Sequence, residues 1–231
     1  TFADIEELNN MALAGTPDVS KISYALLPQI TANYKVLSSG SALGRGNGPL
    51  LVAKRELDLK ESSLRIAIPG EYTTANMLLE RIHPELTDKT PMLVSKIADA
   101  VISGQYDAGV LIHEGRFTYE KKGLVKLADL GEEWEQESGM PLPRGGIVVS
   151  RRLPVEAQIA VDLAVRRSVE YAFDHPEAVS TFVKEHAQET DPAVIRNHIE
   201  LFVNGYSIEL GDEGRCAVDC FTHMCGGDIF V

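Results

Sequence analysis

The sequence contains no apolar run approaching the roughly 20 residues that a membrane-crossing helix needs, so no segment of it reads as a membrane span. It is poor in positive charge: 22 Lys and Arg stand against 34 Asp and Glu, for a formal net charge of −12. A wide nucleic-acid surface would need Lys and Arg to neutralise phosphates, so none is expected. Cysteine is scarce and confined to the last sixteen residues, as Cys216, Cys220 and Cys225. An odd, clustered set does not resemble a secreted disulfide framework. With His223 between them, the spacings of three, two and one intervening residues fit no zinc template. Cys216 and Cys220 simply stand one helical turn apart, and no metal site is expected. The first residue is a threonine, and no basic segment with an apolar stretch and cleavage site follows, so no signal peptide is read.

What remains is ordinary globular material, 44% apolar and 24% charged. At 231 residues the chain is at the upper edge of what one core serves and comfortable for two small lobes. The expected partner is a small molecule. Helix termini and single basic residues decide its charge, so an anionic ligand is compatible with an acidic protein.

Ile5, Leu8 and Met11 recur at helical spacing, and Gly15 ends that run. Lys21–Ser23 reads as a strand turning into a helix over Tyr24–Ile30, and Tyr34–Leu37 as a second strand. Ser38–Gly48 is a Gly- and Ser-rich loop, after which Pro49–Ala53 is extended. A change of unit follows. Leu64–Ile68 is a short buried strand closed by Pro69-Gly70, then come helices over Thr73–Ile82 and Leu93–Ser103. Strand Asp107–Ile112, a helix at 131–137 and strand Gly145–Ser150 complete this unit. Helices are expected near 154–174, 176–188, 191–204 and 212–224, punctuated by Asp174-His-Pro176 and Thr190-Asp-Pro192. Alternating strands and helices predict a parallel α/β sheet covered on both faces. The boundaries expected are residues 1–63 for the first part of lobe 1, 64–150 for lobe 2, and 151–231 for helices returning to lobe 1.

Open α/β sheets bind ligands at the carboxyl ends of their strands, so chemistry is sought there. Ser23 lies where a strand becomes a helix, and capping is the favoured role. After Ile68-Pro-Gly70, Thr73 and Thr74 open a helix whose free N–H groups and dipole suit a carboxylate or phosphate. Capping is the equal alternative for both. His113 follows the apolar strand Val110–Ile112. Its imidazole titrates near neutrality and would serve as a general base, against the usual hydrogen-bonded structural histidine. His83, His175, His186, His198 and His223 read as solvated. Gly44-Arg-Gly-Asn-Gly48 leads into a strand rather than out of one, so it is a hinge or a close-approach loop, not a nucleotide loop.

These motifs resemble those of the 1,4-dihydroxy-6-naphthoate synthase family of the futalosine route to menaquinone. The matching segments are ADIEELN at 3–9, KISYALLPQI at 21–30, SGSALGRGNGPLLVA at 39–53 and IPGEYTTANMLL at 68–79. They continue with LIHEGRFTYEKKGL at 111–124, DLGEEWEQESGMPLPRGGI at 129–147, AVRRSVEYAFDHPE at 164–177 and VNGYSIELGDEG at 203–214. The resemblance implies an α/β, two-lobed fold like type II periplasmic binding proteins, with a ligand cleft between lobes, used as a cytoplasmic enzyme. It implies a carbon–carbon lyase that splits cyclic dehypoxanthinyl futalosine into 1,4-dihydroxy-6-naphthoate and dihydroxyacetone, with no metal or organic cofactor. By matching positions, His113 is the base and Ser23 and Thr74 line the cleft as hydrogen-bond partners of a small anionic aromatic substrate. Ser39 and Gly40, in the family's Ser-Gly loop, are further binding candidates. The family's N-terminal strand–helix–strand has no counterpart here, because this sequence begins after it. A non-catalytic solute-binding protein of the same fold remains an alternative, as does the related chorismate dehydratase, which carries Gly-Asp where this chain has His113-Glu114.

Overall fold

The computed structural model describes residues 2–46, 48–61, 63–113, 115–178, 182–183, 192–224 and 228–231. The expected helix at 176–188 lies largely outside them, as do Glu114, His186 and Cys225. The chain divides into two compact units. Unit 1 comprises Thr1–Glu7 and Arg45–Leu142, and unit 2 comprises Leu8–Gly44 and Pro143–Val231.

Unit 1 is built on five strands: β4 (Leu50–Ala53), β5 (Ile66–Ile68), β6 (Lys89–Pro91), β7 (Ala108–Leu111) and β8 (Val125–Asp129), in the order β6-β5-β7-β4-β8. β4, β5 and β7 are buried at every position, as befits continuous apolar runs inside a sheet covered on both faces. Their side chains pack with helix α4 (Val94–Ile102) in a core that includes Leu50, Val52, Ala67, Ile97, Val101 and Leu111. Gly109 lets α4 approach, since a Cβ there would lie 2.6 Å from the Ile97 side chain. Helix α3 (Thr74–Ile82) packs on α6 (Leu130–Ser138), whose fully buried Trp134 lies under the Arg81 guanidinium.

Unit 2 is built around β9 (Leu142–Ser150), longer at its start than the expected Gly145–Ser150. β1 (Val19–Ser23) and β2 (Tyr34–Val36) flank β9, and β3 (Ala42–Gly44), unexpected within the Gly-rich loop, also pairs with it. Helix α1 (Ile5–Leu13) precedes β1, and its buried residues are Asn9 and Ala12, with Ile5, Leu8 and Met11 only partly covered. A 3-10 turn over Tyr24–Leu26 and helix α2 (Leu27–Ile30) join β1 to β2. The long helix α7 (Val155–Asp174) follows β9. Helices α8 (Pro192–Phe202), α9 (Gly205–Ile208) and α10 (Gly211–Thr222) follow later in the chain.

The expected parallel sheet needs correction. β5 is parallel to β6 and β7, but β4 runs antiparallel to both β7 and β8. In unit 2, β1 and β2 are both antiparallel to β9 and therefore parallel to each other. The strand–helix–strand reading was right about direction and missed the later strand inserted between. The units also divide at Gly44/Arg45 and Leu142/Pro143, where the sequence suggested 63/64 and 150/151. The difference at the first boundary is β4, which pairs in the sheet of β7 and β8.

Among the described residues no helix is long and apolar enough to cross a membrane, and no group of three His, Cys, Asp or Glu side chains gathers as metal ligands. Cys216 and Cys220 are exposed on α10. His83 is not solvated as expected: its ring is 15% exposed, 3.3 Å from Glu85 and 3.9 Å from Glu133. His175 is exposed and stacks on Tyr171, one helical turn back on α7.

Candidate functional site

The parallel pairing of β5 and β7 brings two candidate segments to the same end of the unit 1 sheet. Ile66 pairs with Ala108 and Ala67 with Gly109, so the Pro69–Thr74 turn and the Ile112–His113 turn both follow carboxyl ends of adjacent strands. This is where open α/β sheets present ligand-binding groups.

In the first turn, Thr73 is extended, and its Oγ1 accepts a hydrogen bond from the Asn76 N–H at 3.2 Å while donating to the Gly70 carbonyl at 2.8 Å. That geometry is an N-cap. Thr74 is the first helical residue and is buried. The Glu6 carboxylate also reaches this turn, accepting the Tyr72 N–H at 3.2 Å. It lies against Gly70, where a Cβ would stand 2.3 Å from the Glu6 Cδ. With φ of +154° as well, a side chain at that position would be strained and would have to displace the Glu6 carboxylate. The start of α3 therefore already carries a negative charge from the protein itself, which complements the helix dipole.

In the second turn, β7 ends at Leu111 and the chain leaves the strand at His113, whose φ is +55°. Left-handed backbone is uncommon for a residue with a Cβ, though histidine tolerates it better than most. The Gly115 N–H donates to Ile112 O and the Arg116 N–H to His113 O, starting the short helix α5 (Gly115–Thr118). Arg116 then fastens this helix. Its Nη1 donates to Gly48 O at 2.7 Å and its Nη2 to Asp129 Oδ2 at 2.8 Å. Asp129 Oδ1 in turn caps α6 through the Gly131 and Glu132 N–H groups, both at 3.1 Å. The partly buried His113 thus sits between a rigid strand and a clamped turn. Arg116 and Asp129 escaped sequence reasoning. An Asp followed by Leu-Gly-Glu-Glu is a helix-start signal, but its pairing with Arg116 is a tertiary fact.

In unit 2, Ser23 and the Ser39–Gly40 loop likewise follow the carboxyl ends of β1 and β2. The capping role favoured for Ser23 is not observed, because its side chain makes no cap hydrogen bond. Asn9 is the reason: its Nδ2 donates to Ser23 Oγ at 3.2 Å and its Oδ1 accepts the Ser23 N–H at 2.9 Å. Asn9 is fully buried, and sequence reasoning missed it; a polar residue in the middle of an otherwise apolar helix face was the available signal. Ser39 is also fully buried, its N–H and Oγ directed at Asp162 of α7 at 2.8–2.9 Å. Gly40 has φ of +80°, donates its N–H to Ser207 O, and has no room for a Cβ against Ile147. The Ser-Gly loop is thereby fixed in shape by α7 and α9.

A family model described as menaquinone biosynthesis matches residues 1–226. The 1,4-dihydroxy-6-naphthoate synthase of Streptomyces coelicolor is 44% identical over 223 residues, covering 94% of this chain and 79% of the relative. The enzyme of the same name from Thermus thermophilus is 44% identical over 215 residues, covering 93% and 78%. Among solved structures, a protein from Archaeoglobus fulgidus superposes with a TM-score of 0.92 at 32% identity, covering 97% of this chain and 84% of its own. The ligand-binding component of an ABC-type import system from Staphylococcus aureus matches with a TM-score of 0.67 at 16% identity, covering 96% and 78%. At that identity the likeness concerns the fold, which is that of the periplasmic binding proteins. Sequence and fold agree, and the chain belongs to the 1,4-dihydroxy-6-naphthoate synthase family of menaquinone biosynthesis.

Proposed function

We propose that the protein is a carbon–carbon lyase that splits cyclic dehypoxanthinyl futalosine into 1,4-dihydroxy-6-naphthoate and dihydroxyacetone, with His113 as the general base. The observation that carries the reading is His113 itself, a histidine at a strand's carboxyl end, in left-handed backbone between a buried strand and a clamped helix. Backbone held in a sparsely populated region gathers at functional sites, and here it fixes the direction of an imidazole. The bond that breaks joins the sugar-derived carbons to the ring system. His113 removes a proton, the bond's electron pair is accommodated as the ring becomes aromatic, and the three-carbon fragment leaves. There is no net oxidation, so the protein's tasks are proton removal and orientation.

Thr74 and Ser23 are the hydrogen-bonding groups offered to substrate oxygens. Thr73, Ser39 and Gly40 act one step back, by holding the two turns in shape. The test is direct: the purified protein is given cyclic dehypoxanthinyl futalosine, and 1,4-dihydroxy-6-naphthoate is sought by its absorbance and mass. Absence of product from folded protein would overturn the proposal.

A further inference from the structure

Helix α7 runs for 20 residues, yet Gln158 is the one residue of it that is buried. Its inner side is nevertheless anchored. Gln158 Nε2 donates to Leu153 O at 2.8 Å, Asp162 accepts from Ser39, and Val165 lies against Gly40. At 3.6 residues per turn the opposite side carries Glu156, Ile159, Ala160, Leu163, Ala164 and Arg167. All six are exposed, Ile159 by 47% and Leu163 by 44%. Val155, Tyr171 and Phe173 add exposed apolar surface toward the two ends of the helix. An apolar strip of this length, framed by one charge of each sign, has the composition of a contact surface rather than of a solvated helix face.

The six residues are self-complementary. When two copies of α7 pack antiparallel about a two-fold axis between Val161 and Asp162, Glu156 comes level with the partner's Arg167. Ile159 comes level with the partner's Ala164, and Leu163 with the partner's Ala160. Each large apolar side chain then has room beside a small one, and each carboxylate meets a guanidinium, twice over by symmetry. A parallel pair would instead set Glu156 beside Glu156 and Arg167 beside Arg167, so charge selects the antiparallel arrangement. We propose that α7 is the contact surface between two copies of this chain, paired through Ile159, Ala160, Leu163 and Ala164 and kept in register by Glu156 and Arg167. The pairing concerns unit 2 alone and does not depend on the reaction assigned above. Asp162 holds Ser39 from the inner side of the same helix, so a paired α7 is also a braced support for the Ser39–Gly40 loop.

A single helix pair is at the small end of stable interfaces, so a dimer with Kd of about 1–100 μM is expected. The full chain is followed by sedimentation velocity across that range, as wild type, Leu163→Lys, Glu156→Arg and the double variant Glu156→Arg/Arg167→Glu. Leu163→Lys puts a charge into both halves of the apolar strip and should raise Kd by about tenfold or more. Glu156→Arg sets like charges together at both ends and should also raise Kd by about tenfold or more. Adding Arg167→Glu restores opposite pairs and should bring Kd back to within about threefold of wild type. Circular dichroism should show the wild-type fold in all three variants, because exposed positions are changed to good helix formers. If Leu163→Lys does not fold, the charge exchange decides alone. Wild type that stays monomeric throughout would overturn the proposal and leave α7 to some other partner. A dimer that Leu163→Lys leaves intact lies on a different surface and also overturns it. No loss in Glu156→Arg, or a loss that the double variant does not recover, would overturn the antiparallel register.

Discussion

Gly48 and Gly131 meet backbone to backbone: a Cβ on Gly48 would lie 2.2 Å from the Gly131 Cα, and one on Gly131 would lie 2.4 Å from the Gly48 Cα. The Leu130 N–H bonds to Pro49 O beside this contact, and Arg116 holds the Gly48 carbonyl. Gly48 thus lets the chain lie on the start of α6. Gly48→Ala or Gly131→Ala is expected to cost about 1–3 kcal/mol by overpacking and to lower the melting temperature by several degrees. Thermal melts of either variant matching wild type would show that the two segments separate at little cost.

The Arg116–Asp129 pair gives the second prediction. Their side chains are 17% and 7% exposed. Arg116→Met leaves the Asp129 carboxylate buried without its counter-charge, at an expected cost of about 3–5 kcal/mol. Combining it with Asp129→Ser, which keeps a capping oxygen for Gly131 and Glu132, should restore much of that loss. Denaturant melts of the single and double variants measure the coupling. An additive double variant would mean that the pair does not act as a unit.

The strands that sequence reasoning found are those whose burial shows in composition. β4, β5 and β7 are uninterrupted apolar runs covered on both faces, and short helices follow at 3.6-residue spacing. β6, Lys89-Thr-Pro91, is an edge strand with a lysine and a proline, and carries no such pattern. β3 lies in a Gly-rich stretch that reads as a loop because its pairing with β9 is made with residues about a hundred positions later. At the candidate site, the local elements His113, Thr73 and Thr74 were legible. Asn9 under Ser23 and Asp162 under Ser39 were not. Each of these depends on which distant segment packs against it, and that information is not local.

The two threonines of the β5–α3 turn should separate by phenotype. Thr73→Val removes the cap from the Asn76 N–H and is expected to cost about 1 kcal/mol of stability. Thr74→Val should weaken product binding by about tenfold or more, a larger effect than its effect on folding. Product titration and thermal melts of both variants decide it. If Thr74→Val instead lowers stability and spares affinity, Thr74 belongs to the packing of α3.

The displaced Lys21 ammonium links stability to pH. Although the residue is exposed, desolvation by the surrounding protein and the Arg144 charge lower its folded-state pKa from 10.5, so the unfolded chain binds the proton more tightly. Stability should therefore rise with pH across the window between the lowered value and 10.5, and the penalty is fully present below that window. Lys21→Met, which has no proton to bind, is expected to be more stable than wild type near neutrality and to lose that advantage as pH approaches 10.5. Denaturant melts at a series of pH values measure the difference. A gap independent of pH would place the effect in packing rather than charge.

His113 offers the sharpest test because its backbone suggests which substitution to use. At φ of +55°, asparagine is tolerated, whereas alanine should cost about 1 kcal/mol or more in backbone strain. His113→Asn is therefore expected to keep the melting temperature and product affinity of wild type. Turnover should nevertheless fall by about 10²–10⁴, the usual contribution of a general base. Only the neutral imidazole accepts a proton, so the wild-type rate should fall on the acid side, and His113→Asn should lack that limb. His113→Ala separates backbone from chemistry: it should show the same loss of turnover together with a lower melting temperature. A well-folded His113→Asn protein that turns over at nearly the wild-type rate would falsify the base assignment. The left-handed turn at the end of β7 would then be a structural feature that histidine fills.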